Sequence, residues 1–341
     1  MVSFPDAYSP GALVSALADP SASERFSVLT GAPLLVVDLG ASDGGVPRER
    51  ALRMSETLAE LPAISVGFGA AESGCAHALA PALDVRLSAD DAADIAAIEE
   101  SVAQAPLASL GLVQLLRASP ARTIHEGLVA ESLVYSTLQA GPEFGAWIAG
   151  HVRKSREETR EPAVLAARDG AVLALRLNRP EKRNAFSAAM RDALCEQLRL
   201  ALADAEIAHI ELSGAGAAFC SGGDLDEFGT LPDPATAHAI RSTRNAALLL
   251  AQCSARVTSR VHGMCVGAGI ELPAFGRRIV AREDARFLLP EVGMGLVPGA
   301  GGTVSLPRRI GRQRTAQLAL TRTPLGAERA LAWGLVDELV R

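Results

Sequence analysis

The sequence predicts an α/β chain in which strands alternate with helices of crossover length, and three observations carry that prediction. Short apolar runs recur behind residue 160, at 171–177 (AVLALRL), 208–212, 256–261 and 278–281. Helical patterns separate or follow them, at 187–203, 235–252, 313–320 and 327–333. Glycine-rich loops punctuate the alternation, most densely at 263–269 and 293–302.

Taken in order, the first of these strands is closed by Asn178-Arg179-Pro180, a turn signal. Ser187 stands where an N-cap opens the helix that follows. In front of residue 160, 34–39 (LLVVDL) and 63–67 read as strands, and 48–61 as a helix. From 89 to 152 the pattern is nearly all helical, broken at Pro106, Pro120 and Pro142. The most polar stretch, 155–162 (SREETREP), reads as a linker or exposed helix end. It divides the chain into 1–160, a small α/β unit with a helical cap, and 161–341, a larger α/β unit. A length of 341 residues accommodates such a pair, since domains run about 100–200 residues.

Apolar residues make up 49% of the chain and aromatics only 4%, so Ala, Leu and Val must do most of the packing. A net charge of −6 with no basic block argues against nucleic acid as a partner, while leaving room for a local basic rim around a small anion. The cysteines Cys75, Cys195, Cys220, Cys253 and Cys265 form neither a C-x-x-C pair nor a zinc spacing. No metal site is expected, and a reducing, cytoplasmic compartment is the simplest reading. The start of the chain carries Asp6 and Asp19 and lacks a signal-peptide pattern. No apolar run reaches the roughly 18 residues of a membrane span, so a soluble protein is expected.

Three loops concentrate the chemistry. In 218–225 (AFCSGGDL), Gly222 and Gly223 let backbone approach a ligand, and amides beyond them can face a negative oxygen. A plain turn with Asp224 as a cap accounts for the same loop. In 263–272 (GMCVGAGIEL), Leu272 stands where a dinucleotide fingerprint needs its third glycine, and no Gly-Lys-Ser/Thr follows. What remains is an amide-rich turn with Glu271 three residues past Ala268; its apolar setting suggests burial and a raised pKa, although a first-turn Glu also suits a helix dipole. In 287–303 (FLLPEVGMGLVPGAGGT), Glu291 is an isolated carboxylate in an apolar run, which must be paired, protonated, functional or turned to solvent.

The ordered set LRLNRPEKRNAFS, AAFCSGGDLDEF, VHGMCVGAGIEL, DARFLLPEVGMGLVPGAGGT and ALAWGLVDELV, from Leu173 to Val340, resembles the crotonase superfamily, the enoyl-CoA hydratase/isomerase family. That resemblance implies a crotonase-like ββα spiral core. It places Gly223 and Ala268 where the two oxyanion-hole amides are supplied, and Glu271 and Glu291 where hydratases carry two acid/base carboxylates. It places coenzyme A contacts at Lys182, Arg183 and Ala185 and at Gly223, Asp224, Leu225 and Asp226. It further implies an acyl-CoA thioester substrate, no separate cofactor because coenzyme A is part of the substrate, and a homo-oligomer, trimer or hexamer. Pro273-Ala-Phe-Gly-Arg-Arg278 departs from the Ala-rich, Cys-Asp-containing run usual after the first glutamate.

Family members continue past GLVDELV into a helical subdomain, whereas here residues 92–151 resemble that subdomain and lie upstream. The segment before them can be laid without gaps on the catalytic half, with Gly74 on Gly267, Asp91 on Asp284 and Ala78 on Glu271. Four of nineteen positions agree. An N-terminal shortened crotonase-like half lacking the catalytic carboxylates is the corresponding expectation; an unrelated helical domain is the alternative. Both glutamates favour a 2-enoyl-CoA hydratase. An isomerase using Glu291 alone and a non-catalytic acyl-CoA-binding homologue stand as alternatives, and a nucleotide-dependent dehydrogenase lacks its glycine and ribose ligand.

Overall fold

The computed structural model describes residues 7–72, 74–88, 91, 93–152 and 161–341. The linker expected at 155–162 therefore falls mostly outside the described residues. The chain forms two compact units, one of residues 1–118 with 312–321, the other of 119–311 with 322–341.

The first unit is built on a parallel sheet of β1 (Leu34–Asp38), β2 (Ile64–Phe68) and β3 (Val85–Leu87), in that order. Helices Arg48–Glu60 and Gly74–Leu79 make the crossovers that parallel pairing demands. Leu13, Phe26, Leu35, Val37, Leu58 and Leu79 fill one core. Arg117, on helix Pro106–Ala118, is the polar anchor. Its Nε and Nη2 donate to Asp84 at 2.8 and 2.7 Å, and its remaining donors close on the carbonyls of Leu61 and Ala63. Asp84 is buried, also accepts from Ser65, and has Arg312 at 3.9 Å as a second, looser ion-pair partner. Helix Arg312–Thr321 packs on helix Asp94–Gln104 and β3 of this unit. Gln317 donates to Asp94, and Gln313 to the carbonyls of Ala80 and Leu83.

The second unit holds two sheets. The larger runs β12 (Glu338–Val340), β9 (Arg278–Arg282), β7 (Val257–Val261), β6 (His209–Gly214), β5 (Val172–Leu177), β4 (Val164–Asp169). All its pairs are parallel except the β4–β5 hairpin, which turns through Gly170 at φ +54°. The smaller runs β11 (Leu325–Gly326), β10 (Arg286–Leu288), β8 (Met264–Val266). Twice the chain lays one strand in the large sheet, the next in the small one, and then turns into a helix: β7, β8 and Ala268–Glu271, then β9, β10 and Gly302–Ile310. This is the ββα alternation expected from the sequence.

Local chemistry explains the element ends. Ser187 caps its helix by accepting from Met190 N–H. Asn184, fully buried at φ +54°, ties the turn after β5 to the next loop. Its amide nitrogen donates to the carbonyls of Ala215, Ala218 and Phe219, and its oxygen accepts from Arg179 N–H. The helix expected over 235–252 is two helices, Pro234–Thr243 and Ala246–Cys253. Asn245 interrupts it because its side chain accepts from Leu248 N–H and starts the second helix afresh. No helix of the described residues is long and apolar enough to cross a membrane.

Continued upstream, the gapless alignment of the two halves lays β2 on β7, and Gly74 (φ +62°) on Gly267 (φ +48°). The strand pairings differ by one residue: Val66 faces Val85, whereas Ser259, its counterpart, faces Ile279 rather than Arg278. Ala78, laid on Glu271, is buried in the apolar core of the first unit.

Candidate active site

The site begins where two glycine loops meet. Cys220 and Cys265 form an isolated parallel bridge, Val266 N–H donates to Cys220 O at 2.9 Å, and Cys220 N–H to Met264 O at 3.3 Å. Glycine is required at the crossing: a Cβ on Gly269 would lie 2.4 Å from Cys220 O. The contact sets Gly223 and Ala268 along one cavity of about 420 Å³. Among the described residues, neither the Gly223 nor the Ala268 N–H has a hydrogen-bond acceptor. Two backbone donors facing a cavity unspent can bind an oxygen on which negative charge develops.

Glu271 and Glu291 open into the same cavity. Glu271 ends the single helical turn after Ala268 and is 2% exposed. Its Oε2 accepts from the N–H groups of Ala300 and Gly302, both at 2.8 Å. Glu291 comes from the turn after β10, and its Oε2 is buried with no hydrogen-bond partner among the described residues. A Cβ on Gly267 would lie 2.5 Å from Glu291 Oε1 and 3.6 Å from Glu271 Oε1, so the two carboxyl groups share one side of that glycine.

A third carboxylate joins them. Glu131, on helix Ile124–Gln139, is 2% exposed and lines the cavity. Its Oε1 accepts from Gly301 N–H at 2.7 Å, and its Oε2 from the Thr303 N–H and hydroxyl at 2.9 and 2.7 Å. Four consecutive amides, 300 to 303, are thus dealt alternately to Glu271 and Glu131. One turn along, Tyr135 packs its ring where a side chain on Gly299 would otherwise stand, 2.6 Å from the ring. Burial pushes the Glu131 carboxyl up to about 7, against the pull of its hydrogen bonds from Thr303 and Gly301. Burial likewise pushes Glu291 up to about 8, with the Glu131 charge adding to it. Glu271 is held well above the usual range by burial, then by the charges of Glu291 and Glu131. Three carboxyl groups in one desolvated space share protons, so the site holds acid and base forms together near neutrality.

Of the coenzyme A contacts expected from the sequence, Lys182, Ala185, Asp224, Leu225 and Asp226 line a second cavity of about 250 Å³ with His151 and Val152. Asp224 lines both cavities, and Gly223 belongs to the first. Arg183 lines neither; it is exposed, at φ +51°, and ends the short turn Pro180–Lys182. Lys182 reaches Asp224 and Asp226, both at 3.5 Å. Arg179, which sequence reading passed over, is buried with Asp224 at 2.8 Å and donates to Ala185 O. Asp224 does cap the next turn, accepting from Asp226 N–H, so its structural reading holds beside its place in the cavities. Glu131 and Tyr135 were also missed. The available signal was weak, an ionisable group and a phenol four residues apart in a helix that also carries His125, Glu126, Ser132, Ser136 and Thr137.

The family model for enoyl-CoA hydratase/isomerase matches residues 167–341. A 1,2-epoxyphenylacetyl-CoA isomerase of Escherichia coli strain K12 is 35% identical over 181 residues, 52% of this chain and 69% of the relative. A 2,3-dehydroadipyl-CoA hydratase of the same strain is 34% identical over 176 residues, 52% of this chain and 68% of the relative. A probable enoyl-CoA hydratase of Rhodobacter capsulatus is 37% identical over 165 residues, 48% of this chain and 63% of the relative. With this match, and with the ββα alternation carrying two glutamates and two free amides to one cavity, the chain belongs to the enoyl-CoA hydratase/isomerase family.

Proposed function

We propose that the chain hydrates a 2-enoyl-CoA thioester, with Glu271 and Glu291 as the acid/base pair and Gly223 and Ala268 N–H as the oxyanion hole. The observation that carries the reading is the convergence of these four groups on one cavity, where the two amides and Glu291 Oε2 have no partner among the described residues. The thioester oxygen accepts from the two amides, which draws electrons from the double bond as water adds to C3. The proton leaving water passes to Glu271, which enters the step as the carboxylate; burial raises its proton affinity, and the two amides on Oε2 partly offset that rise. The enolate carbon C2 takes a proton from Glu291, whose raised pKa keeps it protonated at neutral pH. A proton passing from Glu271 to Glu291, directly or through solvent, restores both groups for the next turnover. Coenzyme A enters as part of the substrate, its nucleotide end toward the cavity of Lys182, Ala185 and Asp226, and no separate cofactor is needed. The first unit, with Ala78 in the position matched to Glu271, acts as a shortened copy without its own chemistry.

A double-bond isomerase using Glu291 as the shuttling base is the second reading, favoured by the Glu291 Oε2 that lacks a hydrogen-bond partner among the described residues of the cavity. A panel of 2-enoyl and 3-enoyl thioesters separates the two. A hydratase loses at least ~100-fold in kcat with either Glu271→Gln or Glu291→Gln. An isomerase survives the first substitution and not the second. Full activity in both variants would discard the acid/base scheme altogether.

A further inference from the structure

We propose that the acyl group this site accepts ends in a carboxylate, held at the far wall of the cavity by Arg241 and Arg244; this rests on the thioester reading above. Arg241 lies on helix Pro234–Thr243 and Arg244 caps its end, and both line the cavity of Glu271 and Glu291. Arg241 is half-buried, its guanidinium 4.7 Å from the centre of the Tyr135 ring. Its Nε and Nη2 are fixed by Ser132 and by the Ser136 hydroxyl. Among the described residues its Nη1 has no acceptor, neither arginine has a carboxylate within ion-pair distance, and the Arg244 side chain has no hydrogen bond.

Burial weighs against the half-buried Arg241 guanidinium, and the Glu131 charge steadies the cation without pairing with it, so an anion on its free edge would be stabilising. The acids nearby are already committed. Both oxygens of Glu131 are taken by Gly301 and Thr303, Glu227 accepts from Ala188 N–H, and Asp233 caps its helix through Thr236. The missing anion is therefore the ligand's. A phosphate of coenzyme A is the other possible source. Tyr135, beneath Arg241, feels the charges of Glu291, Glu271 and Glu131 together, which puts the guanidinium near the reacting carbons rather than at the nucleotide end. A planar carboxylate suits the free edge of a guanidinium.

The test is isothermal titration of the full chain with glutaryl-CoA, pentanoyl-CoA and free coenzyme A, none of which can be hydrated. We expect glutaryl-CoA to bind roughly tenfold to a hundredfold tighter than pentanoyl-CoA, the range of a charge-assisted contact. Arg241→Gln should bring the ratio within threefold of unity, and Arg241→Lys should keep part of it. The ratio is internal to each variant, so a general loss of folded protein does not imitate the effect. Equal affinity for the two thioesters in the unsubstituted chain overturns the proposal. So does a loss in Arg241→Gln shared equally by free coenzyme A, which assigns the arginine to a phosphate. A preference that persists while no enoyl thioester is hydrated would sink the hydratase reading and leave this one standing; hydration with no preference does the reverse.

Discussion

Gly267→Ala puts the geometry of the two glutamates to its sharpest test. Gly267 holds φ +48° and ψ −118°, a region open in practice to glycine, so an alanine there costs about 1–3 kcal/mol of backbone strain. The added methyl would also stand 2.5 Å from Glu291 Oε1. An ordinary contact begins near 3.4 Å, so the carboxyl group has to retreat by about 1 Å. Glu271 Oε1, at 3.6 Å, has room and stays. A displacement of this size at a proton-transfer group costs on the order of 100-fold in rate. Steady-state hydration of the preferred 2-enoyl thioester should show kcat falling at least that far, because the strained residue also adjoins the Ala268 amide. Urea unfolding should lose about 2 kcal/mol. A kcat within threefold of the unsubstituted chain would refute the argument that Glu291 delivers a proton from beside this glycine.

Other consequences are measurable. Glu131 and Glu291 have folded pKa values near 7 and 8, above their ordinary 4.5. The folded state therefore keeps protons that the unfolded chain releases, so stability is full below about pH 4.5 and falls as pH rises to 8, by about 1.4 kcal/mol per pH unit per group at most. Urea midpoints at pH 5 and pH 8 check this, and Gln at either position should flatten the difference. Above pH 8 Glu291 loses its proton, so hydration should decline through that pH, and a kcat profile flat to pH 10 would contradict its role as the acid. Arg117→Ala leaves the buried Asp84 with only the looser Arg312 contact and removes the donor from the carbonyls of Ala59, Leu61 and Ala63, so unfolding by urea should come about 3–5 kcal/mol more easily. Asn184→Ala breaks four hydrogen bonds at a left-handed position and should cost about 2–4 kcal/mol in the same experiment.

The sequence was readable where the chemistry is local. Gly222, Gly223 and Gly267 to Gly269 announce close backbone approaches because only glycine can supply them, and Glu271 and Glu291 stand out against apolar neighbours. Strands of five or six residues with apolar runs, such as β5 and β7, were visible for the same reason. The three-residue strands β8 and β10 were not, since their pairing is set by partners far along the chain, nor was β4, whose side chains are mostly exposed. Asn245 divides a continuous helical pattern by one side-chain hydrogen bond, which periodicity does not weigh. The shared anchoring of the 300–303 amides escaped notice because Glu131 reaches them from a helix whose pattern is ordinary.

Synthesis runs in one direction, and that gives the Glu131 contact a temporal meaning. The helix that carries it leaves the ribosome long before the loop it grips, 170 residues earlier for Gly301 and 172 for Thr303. At about 5–20 residues per second, the side chain waits on the order of ten seconds or more for its partners. During that wait it is a charged group on a helix that already has the helices Pro142–Gly150, Pro234–Thr243 and Ala246–Cys253 to pack against but not the amides that take its charge. The last pieces of the active site to emerge are thus the amides that Glu271 and Glu131 divide between them, and the 300–303 segment decides when three acids may leave water together.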